Sequence, residues 1–222
     1  MFRIKICGVT TSEDAQQASM AGADAIGLNF YEDSTRYVQH SRAREIVSGL
    51  PCGVRKIGVF VNAKAADVCH TYDDLGLDAI QLHGDEPPPF LGLLGQRPVI
   101  RAFRCRDTGM APVVEYLDKC MAIGCVPQFV LMDAYYPGQY GGTGTVFDWN
   151  LISGSNQQLH GAEVVLAGGL TPENIGEAIE TARPRAVDTA SGVESEPGVK
   201  DSGLVRAFVQ NAQIAFARLE AK

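Results

Sequence analysis

The chain has 222 residues, enough for one large domain or two small ones, and its 45% hydrophobic and 20% charged residues describe a folded globular protein and exclude intrinsic disorder. A formal net charge of −7 disfavours nucleic acid and anionic membrane surfaces as partners, yet it leaves room for a local anion site. No apolar run approaches the ~18 residues of a membrane span, and the opening MFRIKICGVT lacks the basic-then-apolar-then-small layout of a signal peptide.

From the N-terminus, an alternating strand over 4–8 is followed by a helix over 12–21, where Thr11 and Asp14 stand at capping-box spacing. A second strand over 25–30 precedes a helix that Ser41 caps and that runs to Leu50. Strands over 54–61 and 79–83 alternate with helical patterns at 63–75 and 88–94. A fifth strand (99–103) leads to a helix over 112–122, and a sixth (129–133) to a helix over 149–158. After a seventh strand (163–169), Thr171-Pro172-Glu173-Asn174 reads as a helix start with a cap ahead of proline. The eighth strand (186–191) precedes a closing helix near 201–220, with Leu204, Val205, Phe208, Ala212, Ala215 and Leu219 at helical spacing.

Strand and helix thus alternate eight times, which implies parallel strands with right-handed helical crossovers. Eight such units predict a single α/β domain over 1–222, a compact (β/α)8 TIM barrel. The rival is a doubly wound open sheet, against which stands the lack of a GxGxxG after the first strand.

In a barrel of this kind reactive groups lie at the carboxyl ends of the strands. Cys7 closes the first strand and reads either as a small buried residue or as a thiol base or nucleophile, two positions after Lys5 on the same face. Asp133 closes the apolar run Phe129 to Met132; it is either a turn cap or a general acid or base. Arg36 is either a solvated loop arginine or a fork for a carboxylate or phosphate. His83 and Asp188 close the fourth and eighth strands, and His83 has the simpler reading of a bond to neighbouring backbone. The glycine-rich turns Gly168-Gly169 and Ser191-Gly192 follow strands seven and eight, where barrels bind phosphate through backbone N–H groups, and together they predict a phosphate-ester ligand. Gly142 and Gly144 in the run 141–144 permit close backbone approach to a ligand or belong to a plain loop. The six cysteines form no CxxC pair, and neither Cys120 nor Cys125 has a His at zinc-ligand spacing, so reduced thiols and no bound metal are expected in a cytoplasmic protein.

The chain resembles the phosphoribosylanthranilate isomerase family of tryptophan biosynthesis. The motifs that carry the resemblance are KICGVT (5–10), NFYEDSTRYV (29–38), IGVFV (57–61), IQLHGDE (80–86), LMDAY (131–135), GGTG (141–144), FDW (147–149), LAGGLTPENI (166–175) and VDTASGVESEPGVKD (187–201), in family order over nearly the whole chain. The resemblance implies an Amadori rearrangement of N-(5-phosphoribosyl)anthranilate to 1-(2-carboxyphenylamino)-1-deoxyribulose 5-phosphate, without metal or organic cofactor. It implies Cys7 as general base, Asp133 as general acid, Arg36 as the holder of the anthranilate carboxylate, and the loops after strands seven and eight as the phosphate site. His83 and Asp188 are expected to face the substrate, and Gly142 and Gly144 to belong to a loop closing over it. The expected partner is a small phosphorylated molecule, with neither nucleic acid nor membrane, and the expected state is a monomer or homodimer. Two departures stand out: Glu32-Asp33 where relatives carry a proline-containing turn, and Pro87-Pro88-Pro89 at the start of the fourth helix.

Two other readings compete. A related phosphate-binding barrel of histidine biosynthesis performs the same type of rearrangement, but with an aspartate at the end of strand one and two similar barrel halves. A catalytically silent sugar-phosphate-binding barrel is the other, and the presence of both Cys7 and Asp133 weighs against it.

Overall fold

In the computed structural model the residues described are 2–104, 109–133, 149–152 and 159–221. Eight parallel strands close into a barrel: β1 (Ile4–Ile6), β2 (Ala25–Asn29), β3 (Arg55–Phe60), β4 (Ala79–Leu82), β5 (Val99–Arg104), β6 (Phe129–Asp133), β7 (Glu163–Ala167) and β8 (Ala186–Thr189). Closure is made where β8 pairs with β1, at Ile4↔Val187, Lys5↔Asp188 and Ile6↔Thr189. This is the predicted barrel, and the open sheet is excluded.

The strands are apolar on both faces because both are covered. One alternation faces inward: Ala25, Ile57, Ile100, Leu131, Val165 and Ala186 fill the barrel with Phe2 and Phe129 at its base. The other, including Ile6, Ile26, Leu28, Ile80, Val130, Leu166 and Val187, packs outward against the helical shell. Near the carboxyl ends the inward set turns polar. Lys5, Gln81 and Asp188 are buried there, where an apolar side chain would otherwise continue the core.

The helices are α1 (Ser12–Met20), α2 (His40–Ser48), α3 (Ala65–Leu75), α4 (Pro88–Leu93), α5 (Ala111–Ala122), α6 (Ile175–Ala182) and α7 (Ser202–Glu220). Thr11 Oγ1 accepts from Asp14 N at 3.0 Å, the predicted cap of α1. Pro87-Pro88-Pro89 does start α4, with Pro87 in extended conformation as its cap.

Two expectations are corrected or bounded, and one element is new. The segment 171–174 is a turn and α6 begins at Ile175: Asn174 Oδ1 accepts from Thr171 N at 2.8 Å, so the turn closes on itself before the helix starts. The helix expected over 149–158 begins as a 3-10 turn, Trp149–Leu151, and residues 153–158 lie outside the described residues. Beyond β8 the chain forms an unanticipated antiparallel hairpin, β9 (Glu194–Glu196) and β10 (Val199–Lys200), turned by Pro197-Gly198. Among the described residues no helix is long and apolar enough to cross a membrane.

Candidate active site

A cavity of about 590 Å³ opens at the carboxyl ends of the strands. Cys7, Arg36, His83, Asp133, Gly168, Gly169, Asp188 and Ser191, all singled out from the sequence, line it together. Arg104 lines it too; it lies one residue past the predicted end of the fifth strand and was therefore missed. Gly192 follows Ser191 behind the wall, where a Cβ would collide with the Leu170 carbonyl oxygen. Gly142 and Gly144 lie outside the described residues.

Cys7 follows β1, and its backbone N–H donates to Thr189 O at 2.8 Å. Beside it Lys5 Nζ donates to Asp188 Oδ2 at 2.9 Å, with both side chains buried. Burial pushes the Cys7 thiol above its ordinary range; Lys5 pulls it back and Asp188 adds to the rise. Burial likewise pushes the Asp188 carboxyl up, against the pull of Lys5. Asp188 Oδ1 is buried without a hydrogen-bond partner among the described residues, and Asp188 lines the cavity.

Asp133 ends β6, three strands round the barrel from β1. Its Oδ2 stands 3.4 Å from His83 Nε2, and the other ring nitrogen, Nδ1, is 3.1 Å from Gln81 Nε2. The His83 ring is thus held by side chains rather than by neighbouring backbone, and Gln81, which sequence alone did not single out, lines the cavity beside it.

The His83 loop rests on a buried pair that was also missed. Arg101 Nη1 donates to Leu82 O at 3.1 Å and its Nη2 to Gly84 O at 3.0 Å, bracketing His83. Glu86 accepts from Asn62 N and Gly84 N at 2.8 and 3.1 Å, with Arg101 3.6 Å away.

Arg36 reaches the cavity along Gly8, which has φ +69° and where a side chain would collide with the arginine stem. It is not a solvated loop arginine. Its Nε and Nη2 donate to Glu194 Oε1 and Oε2 at 2.8 and 2.6 Å, a fork-to-fork pair that leaves Nη1 outside it. Glu194 also accepts from Lys200 Nζ at 2.6 Å, and Lys200 donates to Ala190 O at 3.1 Å. The hairpin β9–β10 therefore carries Glu194, which positions Arg36, and Lys200, which holds Glu194. Its sequence signal was Pro-Gly between two short alternating segments.

Gly168 and Gly169, with φ +87° and +64°, and Ala190-Ser191 bring the backbone of the last two strand-end loops to one side of the cavity. Among the described residues no three His, Cys, Asp or Glu side chains stand together as metal ligands would.

The family model of N-(5'-phosphoribosyl)anthranilate (PRA) isomerase matches residues 4–211. The chain belongs to this family. It is 45% identical to the N-(5'-phosphoribosyl)anthranilate isomerase of Geobacter metallireducens over 214 residues, covering 96% of this chain and 100% of that one. The crystal structure of the Thermotoga maritima family member superposes with a TM-score of 0.84 at 39% identity, covering 96% of this chain and 99% of that one. A family structure in complex with reduced 1-(o-carboxyphenylamino)-1-deoxyribulose 5-phosphate superposes with a TM-score of 0.81 at 36% identity, with the same coverage of 96% and 99%. The chain and these family members therefore share one barrel fold, and the related barrel of histidine biosynthesis is set aside.

Proposed function

We propose that the chain catalyses the isomerisation for which its family is named, converting N-(5-phosphoribosyl)anthranilate to 1-(2-carboxyphenylamino)-1-deoxyribulose 5-phosphate by general acid–base catalysis. The observation that carries this is the convergence of Cys7 and Asp133, from strands β1 and β6, on one cavity. An aldose-to-ketose shift needs an acid at the ring oxygen and a base at C2, held apart by the reacting carbons.

Asp133 protonates the ribose ring oxygen, and the ring opens to a Schiff base. Cys7 then takes the proton from C2, and the enolamine tautomerises to the aminoketose. The His83 ring beside Asp133 orients the carboxyl. Arg36, fixed by Glu194, presents its remaining N–H groups to the anthranilate carboxylate. The phosphate is received by the backbone of Gly168-Gly169 and Ser191-Gly192, and Asp188, which lines the cavity, faces the substrate. The five described cysteines are free thiols, which supports a reducing, cytoplasmic site of action.

The test is a fluorescence assay of phosphoribosylanthranilate turnover by the wild type, Cys7→Ser and Asp133→Asn. The wild type turns over, and each variant loses about 10²–10⁴ in kcat while keeping its melting temperature. Near wild-type kcat in either variant removes that residue from its role. An inactive wild type removes the reading altogether.

A further inference from the structure

Lys5 is fully buried at the carboxyl end of the barrel, a costly place for an ammonium group. An ion pair there does little to hold a barrel together, because apolar residues of similar volume stabilise a core as well or better. Lys5 precedes Cys7 by two residues on the inward face of β1. Gly27 on β2 leaves the space for both side chains. A methyl group built on Gly27 would lie 2.6 Å from Cys7 Sγ and 3.1 Å from Lys5 Cε, so the sulfur and the last methylene of the lysine flank one point of the wall.

We propose that Lys5 is a positioning residue for Cys7: its fixed ammonium is the counter-charge of the thiolate, and Asp188 holds that ammonium in place and moderates it. The inference rests on the reading of Cys7 as the base. A thiolate in this cavity faces several charges. Lys5 is on its own strand, Asp188 on β8, Lys200 on β10 and Arg36 on the loop after β2, while His83 and Asp133 line the same cavity. Arg36 and Lys200 are both bound to Glu194. Lys5 is bound through one oxygen of Asp188. Among these groups Lys5 exerts the strongest downward pull on the thiol, and the thiolate in turn helps to keep Lys5 charged against its burial. A cation fixed beside a thiol stabilises its thiolate, which is one way proteins activate a weakly acidic group.

The experiment measures alkylation of Cys7 by iodoacetamide against pH, read from the mass of its peptide, in wild type, Lys5→Gln and Asp188→Asn. Lys5→Gln keeps a donor for Asp188 but removes the charge. It moves the half-titration of Cys7 up by about one pH unit, or roughly tenfold slower alkylation near pH 8. Asp188→Asn removes the opposing charge and moves it down. In Lys5→Gln kcat falls at neutral pH and recovers as pH rises, with KM little changed. A Lys5→Gln titration that coincides with wild type overturns the proposal, and so does a kcat loss that is equal at every pH, the mark of a merely structural lysine. If Lys5→Gln does not fold, Asp188→Asn decides, and an unchanged or raised titration overturns the proposal. Retained turnover in Cys7→Ser would remove the base itself, whereas the alkylation titration still reports the Lys5 coupling.

Discussion

At the scale of single residues the site is a set of charges that are each held by another. Arg36 is the clearest case. Its guanidinium is pinned by both oxygens of Glu194, so its direction is set before any ligand arrives. Pre-organised donors lose little on binding, and a charge-assisted bond contributes roughly 1.5–3 kcal/mol. Arg36→Met therefore raises KM for the anthranilate-bearing substrate by about tenfold to a hundredfold and leaves kcat within a few fold. Steady-state kinetics on the purified variant check this. A fall in kcat at unchanged KM would assign Arg36 to the chemical step instead.

At the scale of elements, the hairpin β9–β10 is tied to the barrel by Glu194 with Arg36, by Lys200 Nζ donating to Ala190 O at 3.1 Å, and by Thr10 Oγ1 donating to Gly198 O at 2.7 Å. Burial pushes the Glu194 carboxyl up, but its bonds to Arg36 and Lys200 outweigh that and hold it below the ordinary carboxylate range. The folded value thus lies below the unfolded value of ~4.3. The stability it contributes is present in full above the unfolded value and is lost as pH falls through the folded one. Glu194→Gln leaves two cations without their shared anion and costs roughly 3 kcal/mol at pH 7, a fall in Tm of about 6–12 °C. The gap to wild type narrows as pH drops below ~4. Thermal melts of both proteins across that range measure it, and a gap independent of pH would show that the Glu194 charge contributes nothing.

For the whole molecule, the barrel interior is a close-packed cluster to which strands β2 to β8 contribute, with Phe2 beneath them. Leu131 lies fully buried in it, one inward position below Asp133. Leu131→Ala removes that packing and costs about 2–5 kcal/mol, whereas Ile214→Ala on α7, 52% exposed, changes stability by less than about 0.5 kcal/mol. Denaturant melts of the two variants compare these directly. Equal losses would mean that the interior is not the cooperative core.

The amino-acid sequence by itself determined the barrel, because its evidence is local: eight apolar runs with turn signals between helical patterns need no knowledge of distant partners. It also determined that Cys7, His83, Asp133 and Asp188 would converge, since strand ends of a parallel barrel share one rim. The start of α6 was misplaced because the Asn174 side chain turns back to Thr171 and to Gly169 O, a competition that residue preferences alone do not rank. Only the tertiary structure decided which charge meets which. Lys5 finds Asp188 183 residues away, Arg36 finds Glu194 158 residues away, and Arg101 holds the loop that carries His83. Such pairings leave no periodicity along the chain. They are selected when closure of the barrel brings buried charges together in a medium where an unpaired one is too costly to keep.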